Sequence, residues 1–196
     1  PLTKQALFES DLDLACLSKI AVTTGPGLKG SLLTGLNFAA GLASALKKPL
    51  IPINHLEGHV LSAFIESKSR PQCNFPFLTL LISGGHTQII LAKRIGEYEL
   101  LGETVDDSIG ETFDKVSKEL GYGYPGGPII EELAKKGDPT KYLFPKPLLK
   151  KQGLNFSFSG LKTAVIREII KCKSSKERYW KNNIAASLQN TVSILL

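Results

Sequence analysis

The chain has 196 residues, 42% of them apolar and 21% charged, and a formal net charge of +6. That balance is ordinary for a soluble globular protein and argues against disorder, and the length suits one substantial core or parts of two small domains. No apolar run approaches the roughly 18–20 residues of a membrane-spanning helix, no signal-peptide pattern opens the chain, and three cysteines without metal-ligand spacing (Cys16, Cys73, Cys172) point to a reducing compartment.

The charge is uneven. Residues 141–181 carry eleven Lys/Arg against Glu168 and Glu177, a local net of +9, while the remainder sums to −3. Such a block is either a nucleic-acid footprint or, more often, a solvated lysine-rich face. No methionine occurs, the first residue is Pro1, and Leu195-Leu196 falls inside an amphipathic pattern. A piece of a longer polypeptide is therefore expected.

In chain order, residues 18–24 (SKIAVTT) read as a short buried strand, followed by a GPGLKG turn. Residues 31–46 read as a helix capped by Ser31, with small residues that imply close packing. LIPI gives a second strand, and strand–helix–strand suggests a parallel βαβ unit with both sheet faces covered. A helix carrying His55 and His59 runs from about 54 to 66. The polar segment SKSRPQCNFP is the best internal boundary, which sets domains at 1–72 and 73–196.

Beyond it, FLTLLISGGHTQIILAKR reads as a β-hairpin turning at SGGHT, and 98–105 as a third strand. A helix is expected from Asp107 to Leu120, ended by Gly121. YPGGP is a tight loop into a helix with proline in its first turn. Residues 138–156 read as irregular and basic, with helices from about Ser159 to Ile170 and from roughly Lys176 onward.

Four motifs carry possible chemistry. His55 and His59 stand one turn apart, so both imidazoles can reach one ion; the competing reading is a pair of capping or hydrogen-bonding histidines. Glu57 lies about 200° around the helix from His55, so the glutamate of a zinc-protease helix is misplaced and that activity is excluded. SGGHT is a hairpin turn whose glycines could also turn backbone N–H groups toward phosphate oxygens. Asp107, Glu111 and Asp114 fall at i, i+4 and i+7, an acidic stripe that needs a cation, a ribose or a basic neighbour. Gly126-Gly127-Pro128 with Glu131 forms a close-approach loop at a helix start, and SFSGLKTA is read as capping and packing.

The order and spacing of TTGPGLKGSLLTGLNFAAGLA, NHLEGH, LLISGGHTQ, LGETVDDSIGETFDKV, YPGGP and FSFSGLKTA resemble the TsaD family, the tRNA adenosine threonylcarbamoyltransferases. YPGGP with FPKP and Leu81 is similar to its bacterial and organellar branch. The resemblance implies an α/β fold of the sugar kinase–Hsp70–actin (ASKHA) type, here two incomplete lobes. It implies transfer of threonylcarbamoyl from threonylcarbamoyl-AMP to N6 of the adenosine beside the anticodon in ANN-decoding tRNAs. By the same resemblance His55 and His59 match ligands of one divalent ion, iron or zinc. Leu81, Ile82, Ser83, Gly84 and Gly85 match a substrate loop, and Asp114, Gly127 and Glu131 match contacts to an adenine nucleotide. No catalytic base is assigned. Implied partners are tRNA, TsaB-like and TsaE-like helpers and a threonylcarbamoyl-AMP synthase, in the cytoplasm or in mitochondria, with no membrane.

A third metal ligand, an aspartate, and a nucleotide-contacting asparagine are expected downstream of Leu196, and a Ser-Cys-Asp-Asp segment upstream of Pro1. On that basis residues 1–196 alone are expected to bind metal and nucleotide poorly and to be inactive. A related ASKHA carbamoyltransferase or ATPase, and a non-catalytic regulatory paralogue, are the competing readings.

Overall fold

The computed structural model describes residues 2–65, 73–149, 153–174 and 177–196. The chain divides into two compact units, Pro1–Cys73 and Asn74–Leu196.

The first unit holds α1 (Leu2–Glu9), β1 (Ile20–Gly25), α2 (Lys29–Leu46), β2 (Leu50–Asn54) and α3 (His55–Leu61). β1 and β2 pair in parallel with Ile20 opposite Leu50 and Thr23 opposite Ile53, and α2 is the crossover between them. Ala39 and Ala43 are buried, and a methyl on Gly35 would stand 4.0 Å from the Val22 side chain, so the small residues of α2 let it lie close on β1. Two expectations fail here. Ser31 is not the cap: the Gly-Pro-Gly turn delivers an extended Leu28, whose carbonyl accepts from Leu32 N, so the helix starts one turn earlier. Nor is the sheet covered on both faces within this unit, since every residue of β1 and β2 keeps some exposure.

The second unit is an antiparallel sheet in the order β3 (Phe77–Ile82), β4 (Thr87–Arg94), β5 (Glu97–Glu103). The hairpin closes at Ile82 opposite Thr87, with Ser83 N donating to His86 O at 2.8 Å. Among the described residues four helices follow: α4 (Ile109–Glu119), α5 (Gly126–Ala134), α6 (Ser159–Cys172) and α7 (Trp180–Leu195). Val116, Ile130, Phe158, Leu161, Val165 and Leu188 are fully buried where these helices meet, and apolar burial of this kind is the main force holding the unit together.

Between Ala134 and Ser159 the described residues form no helix or strand, except that Phe156 makes a parallel bridge to Thr104. Gly121, at φ +88°, follows the end of α4 as the sequence suggests. The start differs: Ser108 caps α4 by accepting from Glu111 N, and Asp107 lies before the helix. Lys176, the expected start of the last helix, lies outside the described residues, and α7 begins at Trp180. Among the described residues no helix is long and apolar enough to cross a membrane.

Candidate functional site

In the first unit, Asn54 ends β2 and starts α3. Its Oδ1 accepts from Leu56 N at 2.8 Å and Glu57 N at 3.3 Å, satisfying two orphan donors of the helix. This puts His55 and His59, both exposed, on successive turns with their Nε2 atoms 3.2 Å apart and ring centroids 4.5 Å apart. Two nitrogens bound tetrahedrally at about 2.0–2.1 Å are separated by about 3.3–3.4 Å, so the pair has the spread of two ligands on one ion. A direct N–H···N hydrogen bond between unlike tautomers has nearly the same length. Among the described residues no third His, Cys, Asp or Glu joins them.

In the second unit, one cleft of about 510 Å³ gathers Ile82, Ser83 and Gly84 of the hairpin, Asp114 of α4, and Gly127 and Glu131 of α5. The structure thus brings together six residues singled out in the sequence. It leaves out two: Leu81 is 6% exposed, because strand alternation turns it to the face opposite Ile82, and Gly85 is not part of the cleft wall. Two glycines make the closeness possible. A methyl on Gly110 would stand 2.5 Å from Ser83 O, and one on Gly126 would stand 2.4 Å from Phe113 O.

Asp114 Oδ1 accepts from Gly126 N at 2.6 Å, which fixes the start of α5. Glu131 is exposed and only 3.6 Å from the similarly exposed Lys135. The wall also contains Ile109, Phe113 and Val192 and, among the described residues, no Lys, Arg or His. It therefore offers carboxylates and apolar surface, a combination suited to a nucleoside's hydroxyls and ring. Gln189 and Ser193 of α7 complete it and were not singled out from the sequence. Polar residues at i, i+4 on a helix read as a solvent-facing stripe until the neighbouring elements are known.

The acidic stripe is corrected at one member: Glu111 and Asp114 lie on α4 but Asp107 precedes it, and the basic neighbour the stripe calls for is Lys115, which reaches both Asp107 and Glu111. Asp106 accepts from Ser157 Oγ at 2.5 Å, Phe158 N at 2.7 Å and Ser159 N at 3.1 Å, and so caps α6 from fifty-odd residues away. Asp107 bonds Ser159 Oγ and Lys162 Nζ, with Lys115 Nζ at 3.5 Å. Glu111 pairs with Lys115. Asp107 is thus compensated by Lys162 and Ser159. The capping assigned to SFSGLKTA is supplied by Asp106, since no side chain of that segment caps α6. Burial pushes both Asp carboxyls up. For Asp106 the hydrogen bonds from Ser157 and the backbone outweigh that; for Asp107 the bonds from Lys162 and Ser159 do, helped by the Lys162 and Lys115 charges. Both are held below the usual carboxylate range.

A family model described as TsaD: tRNA N6-adenosine threonylcarbamoyltransferase matches residues 1–196. The chain belongs to the TsaD family. Curated relatives under that enzyme name include those of Pelagibacter ubique, 49% identical over 195 residues, Methylibium petroleiphilum, 50% over 192, and Thermosipho africanus, 47% over 193. These alignments take in 98–100% of this chain and 53–57% of the relatives, so the chain spans about half the length of the curated relatives it matches. The α/β fold is that of the TsaD family and its ASKHA kin.

On this TsaD-family chain the basic block is partly neutralised by its own surroundings. Lys162 is held by Asp107, Lys171 by Glu168, and Lys173 by Glu119 at 2.5 Å; Lys181 donates to Leu120 O at 2.8 Å. Lys146 and Arg167 are exposed and make no ion pair among the described residues. Lys150 and Lys151, also part of the block, lie outside the described residues.

Proposed function

We propose that this chain supplies the metal helix and the nucleotide cleft of an enzyme that transfers threonylcarbamoyl from its adenylate to N6 of an adenosine in tRNA. The carrying observation is the convergence of Ser83, Gly84, Asp114, Gly127 and Glu131 on one cleft in a chain that matches the TsaD family throughout. In this reading the two units are parts of the two ASKHA lobes. Asp114 and Glu131 accept ribose hydroxyls, Ile109 and Phe113 cover the apolar part of the nucleoside, and the glycine hairpin admits the acyl-phosphate end at close range. Leu81 and Gly85 serve by shaping the hairpin.

His55 and His59 hold the divalent ion, iron or zinc, which when bound polarises a carbonyl oxygen. AMP is a good leaving group, so little is asked of a general base and none is named. Helper proteins of the TsaB and TsaE kinds and a synthase for the adenylate belong to the same reading, as does a cytoplasmic or mitochondrial setting.

The test is made on tRNA. In cells depleted of this protein, nucleoside mass spectrometry should show loss of threonylcarbamoyladenosine, restored by the wild-type gene but not by Asp114→Ala. Undiminished modification after depletion overturns the reading. For the metal, cobalt(II) titration of the purified full-length protein should reveal a site that His55→Ala and His59→Ala each weaken tenfold or more; equal affinity in the variants would leave the pair as a hydrogen-bonded couple. For the RNA surface, Lys146→Glu and Arg167→Glu should each weaken tRNA binding and lower the salt slope by about one. An unchanged slope would remove the basic block from the footprint.

A further inference from the structure

Gly84 and Gly85 flank a peptide unit that can turn either way at little cost, because neither residue has a Cβ to oppose the alternative backbone. One orientation is held. Ser108 Oγ donates to Gly84 O at 2.6 Å while accepting from Glu111 N at 3.1 Å. Ser108 is 2% exposed, so water does not compete for either bond. The hairpin rests on the start of α4 in two further ways: Thr87 Oγ1 accepts from Ile109 N at 3.0 Å, and the bare Gly110 lets Ser83 O and Gly84 Cα approach. A trans peptide is planar, so with the Gly84 carbonyl turned onto Ser108 the N–H of Gly85 points the other way, off α4. Gly84 itself is part of the cleft wall beside Asp114 and Glu131.

We propose that Ser108 is a positioning residue for the cleft: its hydroxyl selects one of the two orientations of the Gly84–Gly85 peptide. It thereby keeps the Gly84 carbonyl oxygen from adding a further negative pole to a wall that already holds two carboxylates. This rests on the reading of the cleft as a nucleotide site.

Ser108→Gly isolates the effect, because glycine is nearly as good an N-cap as serine but has no proton to give Gly84 O. Ser108→Thr keeps both bonds and is the rescue. In the full chain, titrated with AMP, Ser108→Gly should bind up to about tenfold more weakly, the range expected for one hydrogen bond, with a melting temperature close to wild type. Its Gly85 amide should shift and exchange faster by NMR, and Ser108→Thr should restore both readouts. Wild-type AMP affinity in a folded Ser108→Gly variant, where Asp114→Ala binds AMP more weakly than wild type, overturns the proposal. So does a loss of affinity with the Gly85 amide unmoved, the outcome of a merely structural role. If Ser108→Gly fails to fold, the amide and AMP readouts of Ser108→Thr decide, and departure of either from wild type overturns the proposal. Asp114→Ala separates the two readings. If it too leaves AMP binding unchanged, or if wild type takes up no AMP, the nucleotide reading fails and the Gly85 amide alone decides for or against Ser108.

Discussion

Gly126→Ala is expected to destabilise the second unit by about 3 kcal/mol, the upper end of the usual cost of overpacking, or to prevent its folding. The added methyl would stand 2.4 Å from Phe113 O, 2.5 Å from Phe113 C and 2.6 Å from Asp114 Cα, and all three are backbone atoms that cannot turn aside. α5 would have to move off α4, taking with it the bond from Gly126 N to Asp114. The neighbouring Gly127 is the control: a methyl there meets only the edge of the Phe113 ring at 3.9 Å. Gly127→Ala should therefore change stability by less than about 1 kcal/mol while still narrowing the cleft. Denaturant midpoints of the two variants make the comparison. Equal midpoints would mean that the start of α5 does not lie against α4 at this distance.

The second large effect is at Asp107. Its side chain and that of Lys162 are 11% and 16% exposed. Removing one member of such a pair leaves the other largely desolvated and alone, so Asp107→Ala should cost about 2–4 kcal/mol, somewhat less than for a fully buried pair. Lys162→Met in the Asp107→Ala background should then cost little, because the charge left behind is gone. The pH dependence has a defined sign. Asp106 and Asp107 have folded values below their ordinary one, so their contribution is complete above about pH 4 and is lost as pH falls through the lower folded values. Asp107→Ala should flatten the loss of stability below about pH 4. An unaltered acid limb, or a cost under about 0.5 kcal/mol, would show that the clasp contributes nothing measurable.

What could be read from the chain was local. Gly84-Gly85 between two alternating apolar runs marked the hairpin, and Gly121 marked the end of α4. The i, i+4 spacing of His55 and His59 was enough to bring two imidazole nitrogens within 3.2 Å. What escaped was set by partners remote in sequence. Asp107 fits a helical stripe with Glu111 and Asp114 by spacing alone, but Ser108 caps α4 and leaves Asp107 before the helix, where it bonds Ser159 and Lys162, fifty residues on. Leu28 displaces Ser31 as the start of α2 because the preceding turn aims the chain, which residue preference does not encode. Gln189 and Ser193 reach the cleft because α7 packs against α5, a tertiary fact with no local signature.

The bridge from Thr104 to Phe156 and the bonds from Asp106 to Phe158 and Ser159 pin the two ends of everything between them. That excursion, with α4, α5 and the basic connection, is a closed ring. The entropy of closing a ring grows only with the logarithm of its length, so about ten added residues in the connection would raise the closure cost by roughly 0.2 kcal/mol. In closure entropy, added length there is therefore cheap, whereas the tight turn at Ser83–His86 leaves no such slack.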